Sequence, residues 1–431
     1  MSLGPGGGSV TGTWTGAVEH SRAVDRCWRL LADLVSTHPV AGAPGQRDAL
    51  RHAEAALRAA GARAARVSRS RAALRLHPDH VDVAAFGAPF EDYWRRGPLE
   101  SVVAEETFGD GGPTVLINAH LDVDVVSDPA GWARPGSWRT PYEVDGRMYG
   151  RGTSDALGGV ASVVAALEIA LPALRDAGHG RLLVQLVLDE EIGGNGTVSL
   201  LDGLGVPPDV AVVVEPSGGV VGTTTRGFEQ LTVVLHGRPR HMVASSFEDN
   251  AVNGLPVLLD VLGGLDAELR GGTGHAVVLP GRVEAGEDAS LPAARAVCEV
   301  TLALPAGVSS DDVQRRLEAR LAERLSPWRP ALSRSGIRIP AGGEVRGADA
   351  WAERFVASAA RVGVRSRPGE FPSACDARLL SLRGIPTLVT GPGDLGRAHG
   401  TDEFVERAEV DRHARALAAF LVDTLTRRAP R

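Results

Sequence analysis

The chain has 431 residues, an apolar fraction of 43% and a formal net charge of −7. That length exceeds one ordinary core and predicts two domains, or one large α/β core carrying an insertion. There is no basic cluster to bind nucleic acid and no run approaching the ~18 consecutive apolar residues of a membrane span, and the three cysteines, Cys27, Cys298 and Cys375, are too dispersed for a disulfide framework or a thiolate metal site.

A small molecule is therefore the expected partner, with no nucleic acid and no membrane. Residues 1–16 read as a flexible, glycine-rich N-terminus without the basic start and apolar centre of a secretory signal, which points to the cytoplasm. Val24, Cys27, Leu30, Leu31 and Leu34 recur at helical spacing and predict a helix over about 17–34, followed by a second over about 46–60. Four short runs rich in Val, Leu and Ile then appear at 114–119, 181–188, 210–214 and 386–390. Runs of this kind suit strands buried on both faces and predict a central, largely parallel sheet. Between the first two, 155–174 reads as an Ala/Val/Leu-rich helix whose start is marked by Gly150, Gly152 and Ser154.

The texture changes at 229–341. Segments 230–236 and 296–304 alternate like half-buried antiparallel strands, while 251–265 and 310–325 read as amphipathic helices. The expected architecture is α/β: a mainly parallel-sheet domain with helices on both faces, formed by 17–228 and 342–431 and interrupted by an inserted α+β domain at 229–341.

Each apolar run is followed at once by metal-competent side chains: His120 and Asp122; Asp189, Glu190 and Glu191; Glu215; and a glycine turn leading to His399. Ligands of parallel sheets bind beyond the carboxyl ends of the strands, so these segments are expected to share one crevice, joined by Asp155 from the start of its helix. Two imidazoles and three carboxylates form a nitrogen and oxygen set suited to zinc and its neighbours. A carboxylate bridging two cations is neutralised by both, which is the natural role for the central Asp155. Asp122 is placed to accept the other N–H of His120 and fix its tautomer. Side chains of adjacent residues leaving a strand diverge, so one of Glu190 and Glu191 binds metal while the other faces the attacking water as its base.

The ordered motifs HLD at 120–122, GRGTSD at 150–155, DEEIGGNGT at 189–197, EP at 215–216 and AHGTDE at 398–403 resemble the aminoacylase, acetylornithine deacetylase, succinyl-diaminopimelate desuccinylase and carboxypeptidase G group of dinuclear zinc hydrolases. The resemblance spans nearly the whole chain. It implies one zinc on His120, Asp155 and Glu215, and a second on Asp155, Glu191 and His399, with Glu190 as general base and Asp122 orienting His120. Cobalt or manganese are the alternative metals. It further implies that 229–341 is a lid and dimerisation domain, that the protein is a homodimer through that lid, and that His241 stabilises the oxyanion in the partner subunit's site.

This sequence departs from the group at two places. Ala156, Leu157, Gly158 and Gly159 follow the bridging aspartate where Met-Lys-Gly-Gly is usual. Ala289–Pro292 and Thr301–Ala303 stand where the group carries the Asn and Arg that bind a substrate carboxylate, which leaves Arg226, Arg240 and Asn250 as substrate-binding candidates. The reaction expected is hydrolysis of a small amide, in the manner of a deacylase or carboxypeptidase. The rivals are an aminopeptidase or dipeptidase on the same scaffold, disfavoured by glutamate at 215, and a catalytically altered metal-binding protein. A serine or cysteine hydrolase finds no GxSxG motif, and Cys375 lies in an ordinary Ser-Ala-Cys-Asp-Ala-Arg segment.

Overall fold

A computed structural model describes residues 17–86, 89–273 and 276–426, so the expectation for 1–16 lies outside the described residues. Eight strands form one sheet in the order Ala64–Arg69, Leu99–Phe108, Gly180–Val187, Thr114–His120, Val210–Val213, Thr387–Val389, Val220–Gly222, Arg367–Gly369. The four central strands, Gly180–Val187 to Thr387–Val389, run parallel. Every residue of Thr114–His120 and Val210–Val213 is buried, as apolar runs covered on both faces require.

The edges add antiparallel pairs to the mainly parallel sheet that the sequence predicts. Ala64–Arg69 and Leu99–Phe108 join antiparallel, and Val220–Gly222 lies antiparallel to Thr387–Val389, so the sheet is mixed. Ala64–Arg69 is mostly exposed and Leu99–Phe108 is interrupted by polar residues, so neither presents the continuous apolar run that marks a strand covered on both faces.

Helices flank the sheet. The chain predicted to be helical from Asp155 becomes a regular helix only at Gly158–Ala177. Before it, Thr153–Leu157 forms a wide turn in which Asp155 (φ −120°, ψ 95°) and Ala156 (φ −130°, ψ 29°) leave helical geometry across a cis peptide bond. Gly152 at φ +87° starts this turn, and a side chain there would collide with Val123. The segment Thr153–Ala177 is long and apolar enough on average to cross a membrane, although Gly158, Gly159, Ser162, Glu168 and Pro172 break any long run of consecutive apolar residues, as the sequence shows. Its most apolar window is 78% buried inside the protein, packed against helices Ala17–Thr37 and Arg407–Leu425, which makes it a core helix.

A second core, including Leu231, Val233, Leu262, Val300 and Leu317, belongs to a separate lid domain. Its antiparallel sheet runs Val277–Ala285, Arg295–Leu304, Gly227–His236, Ala331–Ile339, with helices Leu255–Thr273 and Ser310–Arg324. The two outer strands carry no clear alternation. Val277–Ala285 is largely exposed, and its register shifts between Pro280 and Arg282. A small antiparallel sheet of Tyr142–Val144, Arg147–Tyr149 and Phe404–Glu406 pairs Phe404 with Tyr149 and so brings Glu403 beside the GRGTSD turn.

Candidate metal centre

The carboxyl ends of the central strands and the Thr153–Leu157 turn deliver the acidic and imidazole side chains to one crevice. His120 Nε2 is 3.2 Å from Asp155 Oδ1 and 3.6 Å from Glu215 Oε2. His399 Nε2 is 3.2 Å from Asp155 Oδ2 and 3.2 Å from Glu191 Oε2. The two triads, His120–Asp155–Glu215 and Asp155–Glu191–His399, share Asp155, with one carboxylate oxygen turned to each imidazole. They differ in access: the His120 side chain is 1% exposed and that of His399 is 47% exposed, so the second triad faces the solvent.

The backbone sets these positions. Asp189 (φ +67°) reverses the chain after strand Gly180–Val187, and Gly193 N–H and Gly194 N–H close the turn on Glu190 and Asp189 carbonyls. Gly391 lets the 390–393 turn lie against the backbone of Glu215, where a β-carbon would overlap the Glu215 carbonyl.

Asp122 acts differently from expectation. The backbone carbonyl of Asp122, not its carboxylate, lies 3.0 Å from His120 Nδ1; a carbonyl only accepts, so Nδ1 carries the proton and Nε2 is left facing the crevice. The carboxylate is 3.7 Å from Nδ1 and accepts the backbone N–H groups of Glu190 (3.2 Å) and Glu191 (3.1 Å). The strand ends at His120, and the turn that follows presents the main chain to the ring.

The charges explain what the site requires. Burial pushes the Glu190, Glu191 and Asp122 carboxyls up and takes Glu215 to about 7, with neighbouring carboxylates adding to the shift. Burial opposes charge on both imidazoles, yet the Glu215 charge and bonds to Asp155 and Glu215 raise His120 well above its usual range, and bonds to Asp155 and Glu191 carry His399 to about 12. Protons on the imidazoles are the only positive charge within the triads themselves. Glu191 Oε1 is moreover buried without a hydrogen-bond partner. Two divalent cations would satisfy that oxygen and neutralise the shared carboxylate, so the residues present fit a dinuclear metal-binding site.

Several supporting residues were not singled out from the sequence. Asp124 Oδ2 lies 3.2 Å from His399 Nδ1, on the ring nitrogen that faces away from the triad. Its signal was the second aspartate of His-Leu-Asp-Val-Asp. Glu403 Oε1 accepts the N–H groups of Ser154 (2.9 Å) and Asp155 (3.1 Å), and its Oε2 pairs with buried Arg151 at 2.8 Å. Arg151 also donates to the His399 carbonyl at 3.0 Å. Thr197 donates to Asp376 at 2.5 Å and accepts from Asn118 Nδ2 at 2.8 Å, tying strand Thr114–His120 to the starts of helices Asn195–Leu201 and Ala377–Ser381.

The substrate-side candidates are spread differently. His241 is exposed, and its Nδ1 accepts the Val243 N–H at 3.4 Å. Arg240 is 3.5 Å from Asp249, and the Asn250 side-chain oxygen accepts from Val252 and Ala293 N–H groups at 3.1 Å each. The contacts of these three stay within the lid of one chain. Arg226 is 5% exposed, with its Nε buried and unpartnered and its charge near Glu370. It precedes the first lid strand, where the chain packs under Ser373.

The comparisons agree with this geometry. A 25% identical relative over 368 residues, covering 77% of this chain and 84% of its own, is the N-formyl-4-amino-5-aminomethyl-2-methylpyrimidine deformylase of Halalkalibacterium halodurans. The succinyl-diaminopimelate desuccinylase of Methylorubrum extorquens is 29% identical over 376 residues, 81% of this chain and 93% of its own. Human carnosine dipeptidase 1 shares the fold with a TM-score of 0.67 at 16% identity, over 94% of this chain and 98% of its own. A family profile described as Peptidase family M20/M25/M40 matches residues 116–423, a span that holds both triads, and the chain belongs to that family of metal-dependent hydrolases.

Proposed function

We propose that the protein is a deacylase: a two-zinc hydrolase that cleaves the amide bond of a small N-acyl amino acid or related acylated amine. The observation that carries this reading is the position of Glu190. Its buried carboxyl feels the charges of Glu215, His120 and Asp376 but belongs to neither triad, which leaves it available to move a proton. The curated relatives supply the acyl-transfer direction, since their names describe removal of formyl, succinyl and acetyl groups.

The cations, when bound by His120, Asp155, Glu215, Glu191 and His399, supply Lewis acidity to the amide carbonyl and to a water. Glu190 accepts a proton from the attacking water and delivers it to the nitrogen of the departing amine. Asp122 holds the Glu190 and Glu191 amides, and thereby the angle at which the base meets the crevice. Asp124 and the Asp122 carbonyl keep each imidazole turned inward. His241 of a second copy, in a dimer through the lid, is assigned to the oxyanion. Arg226 is the remaining candidate for the far end of the substrate, whereas Arg240 and Asn250 are engaged within the lid.

The experiment assays the wild type with N-formyl, N-acetyl and N-succinyl amines beside free dipeptides, and a Glu190→Gln variant with the preferred substrate. Loss of turnover in the variant with metal content retained is expected. Substantial residual activity removes Glu190 from the base role, and a preference for dipeptides replaces the deacylase reading with a peptidase one.

A further inference from the structure

Asp189 is a non-glycine residue in left-handed backbone (φ +67°) immediately before the proposed base, and its side chain is 1% exposed. An aspartate tolerates that region at some strain and holds it only when its surroundings over-determine it. Three donors do so. Arg71 Nη1 reaches Asp189 Oδ2 at 2.9 Å, the Tyr93 hydroxyl donates to the same oxygen at 2.7 Å, and Gln46 Nε2 approaches Oδ1 at 3.4 Å. The Arg71 guanidinium lies over the Tyr93 ring at 4.2 Å and donates through Nε to the Gly97 carbonyl at 3.1 Å. Asn195 closes the arrangement: its Nδ2 donates to the Tyr93 hydroxyl at 3.3 Å, and its amide exchanges hydrogen bonds with the Val81 backbone at 2.9 and 3.0 Å.

Arg71 and Tyr93 come from the described segments 71–86 and 89–97, whose described residues contribute no strand to the sheet and nothing to either triad, whereas Gln46 comes from helix Gly45–Ala59 and Asn195 from the short helix Asn195–Leu201. A buried arginine, tyrosine and aspartate of this kind are expensive to assemble unless fully paired, and here the Asp189 carboxylate is their common acceptor. Resting on the reading of Glu190 as base, we propose that Arg71 and Tyr93 are positioning residues: they hold Asp189 in its reversed conformation and so aim Glu190 into the crevice, with no contact to substrate or metal. The segments that carry Arg71 and Tyr93, 71–86 and 89–97, then act as a strap on the catalytic loop through Asp189. Its removal should leave substrate binding intact and blunt the proton transfer.

The test uses the full-length, metal-loaded protein with Tyr93→Phe, which keeps the ring under Arg71, and with Arg71→Gln and Arg71→Lys. Tyr93→Phe and Arg71→Gln should lower kcat about tenfold or more with KM within about twofold and two metals per chain retained. Arg71→Lys, which keeps the charge, should restore part of the loss. In a Glu190→Gln background, Tyr93→Phe should add nothing to the residual rate, because both act on one step. Amide hydrogen exchange over 189–194 should accelerate about tenfold in both variants while the rest of the catalytic domain is unchanged. Wild-type kcat in both variants, or unchanged exchange at 189–194, overturns the proposal. Full activity in Glu190→Gln overturns the base assignment instead, and in that case the exchange data still report whether the strap holds the loop.

Discussion

Glu403 takes the backbone N–H of Asp155 at 3.1 Å, across 248 residues of sequence, and on its other oxygen holds the buried guanidinium of Arg151 at 2.8 Å. The bridging carboxylate is thus set by its main chain as much as by its side chain. Arg151 passes the constraint on to the His399 carbonyl, so one buried ion pair braces the shared ligand and the most exposed one.

Replacing Glu403 with Gln keeps an acceptor for the Ser154 and Asp155 amides but strands Arg151, which is 2% exposed. Breaking a buried pair from one side costs about 3–5 kcal/mol. Denaturant unfolding of Glu403→Gln should show a loss of that order, together with weaker metal retention at the second triad on dialysis. A loss below about 1 kcal/mol would mean that the pair is compensated by another partner.

Asp155→Asn removes the shared charge from both triads. Metal content by atomic emission should fall from two ions per chain to at most about one, with turnover reduced at least about 10³-fold. Chelator treatment of the wild type should reproduce that loss, and added zinc should reverse it in the wild type alone.

The imidazoles give metal binding a sign with respect to pH. In the metal-free site neighbouring carboxylates raise both imidazoles, His399 to about 12, so His399 carries a proton at pH 7 that a cation must displace, and His120 is shifted in the same direction. Metal affinity should therefore rise with pH, and zinc titration of the metal-free protein in buffers of differing ionisation enthalpy should reveal proton release. Binding without proton release at pH 7 would contradict the charge state described for the site.

His413 tests the core rather than the site. It is buried on helix Arg407–Leu425 with Nδ1 2.8 Å from Ser162 Oγ, and burial lowers it to about 4. The unfolded chain takes up a proton near 6.5 that the folded chain refuses until about pH 4, so this contribution is present above 6.5 and is lost as pH falls through that window. The change amounts to about 3 kcal/mol at most. Urea unfolding of the metal-free protein at pH 7, 5.5 and 4.5 should show a shallower acid decline in His413→Asn than in the wild type.

Much of this was readable in the chain. The strands from Thr114, Gly180, Val210 and Thr387 announced themselves because parallel strands covered on both faces must be continuously apolar, and their carboxyl ends marked where ligands would gather. The strands Ala64–Arg69, Val277–Ala285 and Ala331–Ile339 did not, because outer strands are only partly covered and lack a sustained pattern. Asp122 was correctly placed near His120 but given the wrong bond, since the choice between its carbonyl and its carboxylate depends on how the chain turns after the strand.

The sequence by itself determined which residue types stand at the strand ends and in what order, because local hydrophobic pattern and ligand chemistry are both written along the chain. Only the tertiary structure decided that Asp155 leaves helical geometry to share its two oxygens, that Glu403 and Asp124 brace the ligands, and that Arg71 and Tyr93 converge on Asp189. These pairs join residues about 100 or more positions apart, where no periodicity links them. Their cause is the shared burial of charges that must find partners once water is excluded.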